Sequence, residues 1–194
     1  MKEKFIEVYD GIFPEGLLNS LESILFDSKS PINYDLTPNF TFNPGLTNLN
    51  SKDYGVSWVN VINKDFKSPN SSFYLQPLYH FCTYKNLILM DIINARGSIQ
   101  IPSNLDYTPP PHYDCLDPNK NSLPNIDILL IYLNNSDGDT VLYDEDQKTE
   151  IKRVSPKRGR SVYFSNQLLH RSSLPKNLPR AVINYNFLTH PFYE

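Results

Sequence analysis

His112-Tyr113-Asp114 sets an imidazole and a carboxylate two residues apart, directly behind the prolines at 109–111. On an extended segment residues i and i+2 project to one side, so this pair can be offered to a single ion. His170 lies on a later segment that a folded-back β structure can bring alongside. Two neutral imidazoles and one carboxylate on one face of a divalent metal leave three positions open, the donor set of non-haem Fe(II) sites. An HxD pair alone is weak, and an ordinary surface or core position is the competing reading for any single histidine. The order HxD, then His170, then Arg180, each on a strand-like segment, is what carries the metal reading.

The elements that must hold these residues are mainly β. The chain has 194 residues and 40% hydrophobic content, enough for one globular domain with a real core. Thirteen Tyr, eleven Phe and sixteen Pro against two Ala favour strands joined by turns over a helical bundle. Residues 1–90 read as a helical and strand support region and 91–190 as the catalytic jelly-roll core. In the first part, Phe5–Tyr9 reads as a strand, Pro14 opens a helix with Leu17, Leu18, Leu21, Ile24 and Leu25 on one face, Val56–Ile62 is a strand and Phe73–Tyr84 a helix. Residues 30–55, rich in Pro and Asn, form a long loop that suits either a lid or a plain surface excursion. Short strands then follow at about 87–101, 112–115, 126–134, 139–143, 149–154, 160–165, 168–173 and 180–188, separated by turn signals such as Asp137-Gly138.

Bulk properties exclude several classes. The net charge is −3 and the basic residues are scattered, which argues against nucleic acid and against an anionic membrane surface as partners. Cys82 and Cys115 are the only cysteines, too few for a disulfide scaffold or a thiolate zinc site. MKEKFIEVYDG lacks the apolar core of a signal peptide, and the longest apolar run, Leu87–Ile93, is interrupted by Asp91. A soluble, cytoplasmic protein is expected. Twenty-one Asn against two Ala suggest an AT-rich genome and a bacterial or phage source.

The pieces "PHYD", "ILLIYLNNSDGDTVLYDE", "VSPKRGRSVYFSNQLLHRS" and "PRAVINYNFL" resemble the catalytic core of the Fe(II)/2-oxoglutarate-dependent dioxygenases, most closely the prolyl 4-hydroxylase-like branch. "YDGIFPEGLLNSLESIL" resembles the leader helix of that branch. The resemblance is strong over the last half of the chain and loose over the first. It implies a double-stranded β-helix (jelly roll, cupin-like) with N-terminal helices, Fe(II) at His112, Asp114 and His170, and a 2-oxoglutarate site at Arg180. O2 is the co-reactant, succinate and CO2 are products, and ascorbate is an accessory reductant the resemblance admits. The substrate it implies is a peptidyl, prolyl-like or amino-acid side chain, with other peptides and small molecules among the relatives' substrates.

The chemistry of Arg180 fits that role. The far carboxylate of 2-oxoglutarate is costly to bury without a partner, and a planar guanidinium holds a carboxylate through two charge-assisted bonds. Many relatives carry a hydroxyl two positions after this arginine. Here the residue is Val182, so a second hydrogen bond must come from elsewhere, and the resemblance points to Tyr132. On the strand 92–101, Asn94, Arg96, Ser98 and Gln100 alternate with Ile93, Ala95, Gly97, Ile99 and Ile101. A solvent-facing edge strand gives that pattern. The resemblance instead turns the polar row toward the site, with Gln100 and Ser98 as cofactor-binding residues. Pro102 stands where the family often has a tyrosine. The Pro/Asn-rich segment 30–55 or the loop 102–111 would be the cover.

Three features read as structural. Lys152, Arg153, Lys157, Arg158 and Arg160 belong to a solvated hairpin. Asp137-Gly138-Asp139 is a hairpin turn without the further ligands of a calcium loop. Cys115 is expected to face away from Asp114 as a small buried residue. The rival to the enzyme reading is a non-catalytic β-sandwich that binds a protein or sugar, with a degenerate site.

Overall fold

A computed structural model describes residues 3–26, 57–62, 71–102, 109–119, 121–144, 146 and 148–191. Its elements are β1 (Ile6–Tyr9), α1 (Glu15–Phe26), β2 (Ser57–Ile62), α2 (Ser71–Tyr74), α3 (Gln76–Tyr84), β3 (Leu87–Gln100), β4 (Ile126–Tyr132), β5 (Thr140–Tyr143), β6 (Glu150–Val154), β7 (Ser161–Ser165), β8 (Leu169–Ser172) and β9 (Arg180–Pro191). A six-stranded antiparallel sheet runs in the order β1-β7-β4-β9-β3-β2, and a three-stranded sheet in the order β6-β5-β8. The large sheet pairs strands far apart in sequence, as a jelly roll requires. The expected fold class is what the structure shows.

The large sheet is apolar on both faces at its centre because each face has its own cover. All seven residues of β4 are buried. Leu129 and Ile131 pack with Leu18, Leu21 and Leu25 of α1 and Leu78, Phe81 and Cys82 of α3. Ile128, Leu130 and Tyr132 turn the other way, toward Leu142, Val154, Val162, Phe164 and Val182 between the sheets. The strand alternation of period two therefore separates a helix-backed core from an inter-sheet core. Burying each such leucine contributes roughly 1.5–3 kcal/mol.

The expected helix 73–84 is broken at Leu75. Pro77 sits in the first turn of α3, where its missing N–H costs nothing, while its ring disfavours a continuous helix through the residues before it. Helix α1 is tied to the β6–β7 turn by Arg158, which donates to Glu15 (2.5 Å), Asn19 (2.5 Å) and Glu22 (3.2 Å). Arg160 forks onto Asp10 at 2.8 and 2.9 Å, and Arg153 pairs with Glu150 and Asp139. These guanidinium groups are matched by acids, as a solvated hairpin requires.

Strand β3 is internal, lying between β9 and β2, so its polar row is not a solvent-facing edge. Two register shifts against β9 make Met90 and Ile93 extra residues, and each bulge moves the alternation by one position. Ile92, not Ile93, therefore joins Ala95 and Ile99 in the helix-backed core. Asn94, Arg96, Ser98 and Gln100 face between the sheets. Segment 112–115 also departs from expectation. His112 forms an isolated bridge to His170, and the chain bends at Asp114 rather than continuing as a strand. The lid candidate 30–55 lies outside the described residues, as do 103–108 of the second candidate.

Gly97 lies under α1. A Cβ there would stand 3.0 Å from Leu25 Cδ1 and 3.8 Å from Tyr74 Cε1, closer to the leucine than packed carbons comfortably sit. Gly97→Ala should lower stability by about 1 kcal/mol, read by urea denaturation. The loss should shrink in a Leu25→Ala background. An equal loss in both backgrounds would show that the helix contact is not what selects glycine.

Candidate metal centre

The backbone bridge comes first. His112 N–H donates to His170 O at 2.9 Å and His170 N–H to His112 O at 3.0 Å, so two residues remote in sequence are locked side by side with ring centroids 4.8 Å apart. In the following bend, Cys115 N–H donates to Asn166 Oδ1 (3.0 Å), and Asn166 Nδ2 donates to Cys115 O (2.7 Å) and Leu123 O (3.2 Å). Asn166 is fully buried in the turn between β7 and β8. It fastens the segment carrying Asp114 to the approach of the strand carrying His170. Nothing in the sequence distinguishes it from the other asparagines, since its role is set by two distant carbonyls.

The three side chains converge. Asp114 Oδ1 lies 3.6 Å from His112 Nε2 and 3.5 Å from His170 Nε2, and a donor atom from each residue falls within 4.8 Å of the others. Each ring's Nδ1 faces the carbonyl two residues back, His112 that of Pro110 and His170 that of Leu168, both at 3.4 Å. Each Nε2 faces Asp114, so it can donate to the carboxylate as Nε2–H, and with Nδ1 as the donor to its carbonyl instead it would offer its lone pair to an ion. Burial works against the charge of Asp114, but His170, Arg96 and hydrogen bonds from both histidines hold its carboxyl well below the usual carboxylate range. Burial in turn pushes the His170 imidazole below its ordinary value, with Asp114 opposing. The state we take is an ionised Asp114 and a neutral His170, which is the form that binds metal. His112 is the exposed member, with 44% of its side chain accessible. This donor set, two imidazoles and one carboxylate, fits a non-haem Fe(II) ion.

The other oxygen of Asp114 is held by β9. Asn184 Nδ2 donates to Oδ2 at 2.8 Å, and the Asn186 amide, in the orientation that satisfies its neighbours, donates to the same atom at 3.0 Å. Both asparagines are buried. Arg96 of β3 reaches Oδ1 from 3.3 Å. Cys115 does not turn away as expected: it is half-buried beside Asn186, and burial pushes its thiol up to about 11.

Arg180 heads the same face of β9. Across the β3–β9 ladder its rung is Gln100, the next is Val182–Ser98 and the third Asn184–Arg96. At the usual rise per residue, Arg180 and Asn184 are about 13 Å apart along the strand. The guanidinium is buried, donating to Gln100 Oε1 (3.2 Å) and Thr140 Oγ1 (2.9 Å) over the Tyr132 ring. Its Nε has no hydrogen-bond partner, and among the described residues no carboxylate lies within ion-pair distance. Burial lowers its affinity for the proton, with Tyr132 opposing. A buried, half-satisfied cation of this kind calls for an anion.

Tyr132 and Gln100 both lie at the Arg180 side chain. Ser98 shares the face, but its hydroxyl has no partner among the described residues. Thr140 supplies the hydroxyl that Val182 lacks. Its Oγ1 accepts from Arg180 and from Tyr132 OH (2.7 Å), which leaves its own hydrogen to donate. It was missed because a Thr on a short strand reads first as β propensity. His80 is a structural histidine, bonded through Nε2 to Ile12 O at 2.7 Å. Asp137 accepts from the backbone N–H groups of Lys176, Asn177 and Leu178, which is turn capping and not a cation loop.

Comparison with known proteins agrees with this geometry. Residues 104–188, the span holding all three donors and Arg180, match the family model of the 2OG-Fe(II) oxygenase superfamily. No curated protein matches the sequence. Among solved structures, a prolyl-4-hydroxylase from Pseudomonas putida is 17% identical, with 95% of this chain and 93% of that one covered and a TM-score of 0.61. A prolyl hydroxylase from Trichoplax adhaerens, in complex with a hypoxia inducible factor oxygen degradation domain peptide fragment, is 13% identical, with 94% and 83% covered and a TM-score of 0.60. An oxidoreductase of the 2OG-Fe(II) oxygenase family from Burkholderia pseudomallei is 12% identical, with 94% and 84% covered and a TM-score of 0.61. These likenesses concern the fold. Residues 104–188, the span in which the three donors converge, are thus similar to the 2OG-Fe(II) oxygenase superfamily, and the fold agrees with that likeness.

Proposed function

We propose that this chain is an Fe(II)- and 2-oxoglutarate-dependent oxygenase that hydroxylates a peptidyl, prolyl-like or amino-acid side chain, with Fe(II) held by His112 Nε2, Asp114 Oδ1 and His170 Nε2 and 2-oxoglutarate anchored on Arg180. The observation that carries the reading is the pairing of three convergent metal donors with a buried guanidinium whose Nε has no hydrogen-bond partner and which meets no carboxylate among the described residues, on one inter-sheet face. When bound, the iron and 2-oxoglutarate supply O2 activation, one oxygen atom leaving in succinate alongside CO2 and the other ending as the product hydroxyl.

The chain's own residues do the positioning. Asn184 and Asn186 fix Asp114 by Oδ2, so that Oδ1 is aimed between the imidazoles. The two Nδ1–carbonyl contacts hold the rings in the metal-binding tautomer. Arg180 receives the distal carboxylate, with Thr140 as a further donor and Gln100 and Tyr132 fixing the guanidinium plane. The apolar inter-sheet cluster around Leu142, Val162 and Val182 excludes water from the ligand and strengthens those contacts. The peptidyl or prolyl substrate class is supported by the fold shared with prolyl hydroxylases. Residues 1–194 act as one domain, with the N-terminal elements supporting the core. Two free thiols and a ferrous ion both suit a reducing, cytoplasmic setting, where ascorbate serves as accessory reductant.

Mn(II) should raise the melting temperature, and N-oxalylglycine should raise it further by a few degrees at concentrations well above Kd. Asp114→Ala should lose both increments. If neither ligand shifts the wild type, the assignment fails. Arg180→Met should lose the N-oxalylglycine increment while leaving the ligand-free protein about 1 kcal/mol more stable, because an uncompensated buried charge is removed. A destabilised ligand-free Arg180→Met protein would show that the guanidinium serves the fold rather than a ligand.

A further inference from the structure

We infer that Arg96 is a specificity residue that receives a carboxylate of the substrate. The inference rests on the iron and 2-oxoglutarate reading above and adds the substrate's charge to it.

Arg96 stands on the inter-sheet face of β3, on the rung shared with Asn184, and 28% of its side chain is accessible. Its one ion-pair partner among the described residues is Asp114 Oδ1, at 3.3 Å. That oxygen is also the atom aimed at both histidine Nε2 atoms. Oδ2 cannot take over, because Asn184 and Asn186 already donate to it. A divalent ion at the three donors would share the oxygen that Arg96 now uses, and would set a dication beside the guanidinium. Its neighbours on the same face of β3, Asn94 and Ser98, are neutral.

The formal charges leave a remainder at this spot. The metal brings two positive charges, and Arg180 and Arg96 one each. Asp114 supplies one negative charge and 2-oxoglutarate two, of which one is taken by Arg180 and the other by the metal. One positive charge is left over, at Arg96, whose side chain is partly accessible. A guanidinium so placed forms its strongest contacts with a planar carboxylate through paired N–H donors. The substrate bound next to the metal is therefore an anion. Its carboxylate comes either from the end of a free or C-terminal amino acid or from an acidic side chain beside the hydroxylated residue.

The test uses the full chain loaded with Mn(II) and N-oxalylglycine, followed by thermal shift and calorimetry. Two matched pairs are titrated: N-acetylproline against its carboxamide, and a glutamyl-prolyl amide against the glutaminyl-prolyl amide. In at least one pair the acid should bind about tenfold more tightly than its neutral partner. Which pair responds identifies the source of the carboxylate. Arg96→Gln should abolish the preference and Arg96→Lys should keep part of it. Arg96→Met serves as a second neutral variant if the glutamine protein does not fold. Equal binding of acid and amide in both pairs overturns this inference alone, as does a preference that survives in the neutral variants. Loss of N-oxalylglycine binding in those variants also overturns it, since Arg96 would then serve the cosubstrate. If Mn(II) and N-oxalylglycine leave the wild type unshifted, the oxygenase reading falls and this inference with it.

Discussion

A carboxylate removed from water must be compensated on every side, and at Asp114 that requirement organises the centre. Only 3% of the side chain is accessible, and an ionised acid at that depth is costly unless each lone pair is matched. Two carboxamides on β9 cover one oxygen, while two imidazoles and a guanidinium converge on the other. The partners come from β3, β8, β9 and the bridge residue His112, so the pairing of those segments and the ionisation of one residue are mutually dependent. The buried asparagines in the middle of β9, Asn184 and Asn186, make sense in this light.

The architecture meets that demand by giving each strand two duties. On β9, Ala181, Ile183, Tyr185 and Phe187 are buried against the helices, while Arg180, Asn184 and Asn186 line the site. On β3 the small residues Ala95 and Gly97 let α1 approach closely, and the polar row works on the opposite side. The helices thus contribute rigidity without touching the chemistry. Tyr185, buried among them, donates from its hydroxyl to Tyr74 O and ties β9 to α2.

Much of this was legible in the sequence for an identifiable reason. Period-two alternation exposes strand faces, so β3, β4 and β9 and their inner residues could be read directly, and HxD, His170 and Arg180 stood out by chemical type and order. Several other features could not be read. The bulges at Met90 and Ile93 leave no mark in composition, and they decide which isoleucine joins the core. His112 was expected on a strand, whereas it makes a single bridge followed by a bend. That bend is stabilised by Asn166, from a segment some fifty residues away. Thr140 and Arg96 acquire their meaning from neighbours on other strands, which local sequence cannot announce.

Arg180 and the asparagines that steady Asp114 sit on one unbroken strand, and this turns β9 into a ruler. The separation between Arg180 and the asparagines at Asp114 is set by backbone rise, not by adaptable loops. The guanidinium is pinned laterally by Gln100 and Thr140 and has little freedom to slide. Under the proposed assignment, the length of the acid that fits between Arg180 and the three donors is therefore fixed by peptide geometry.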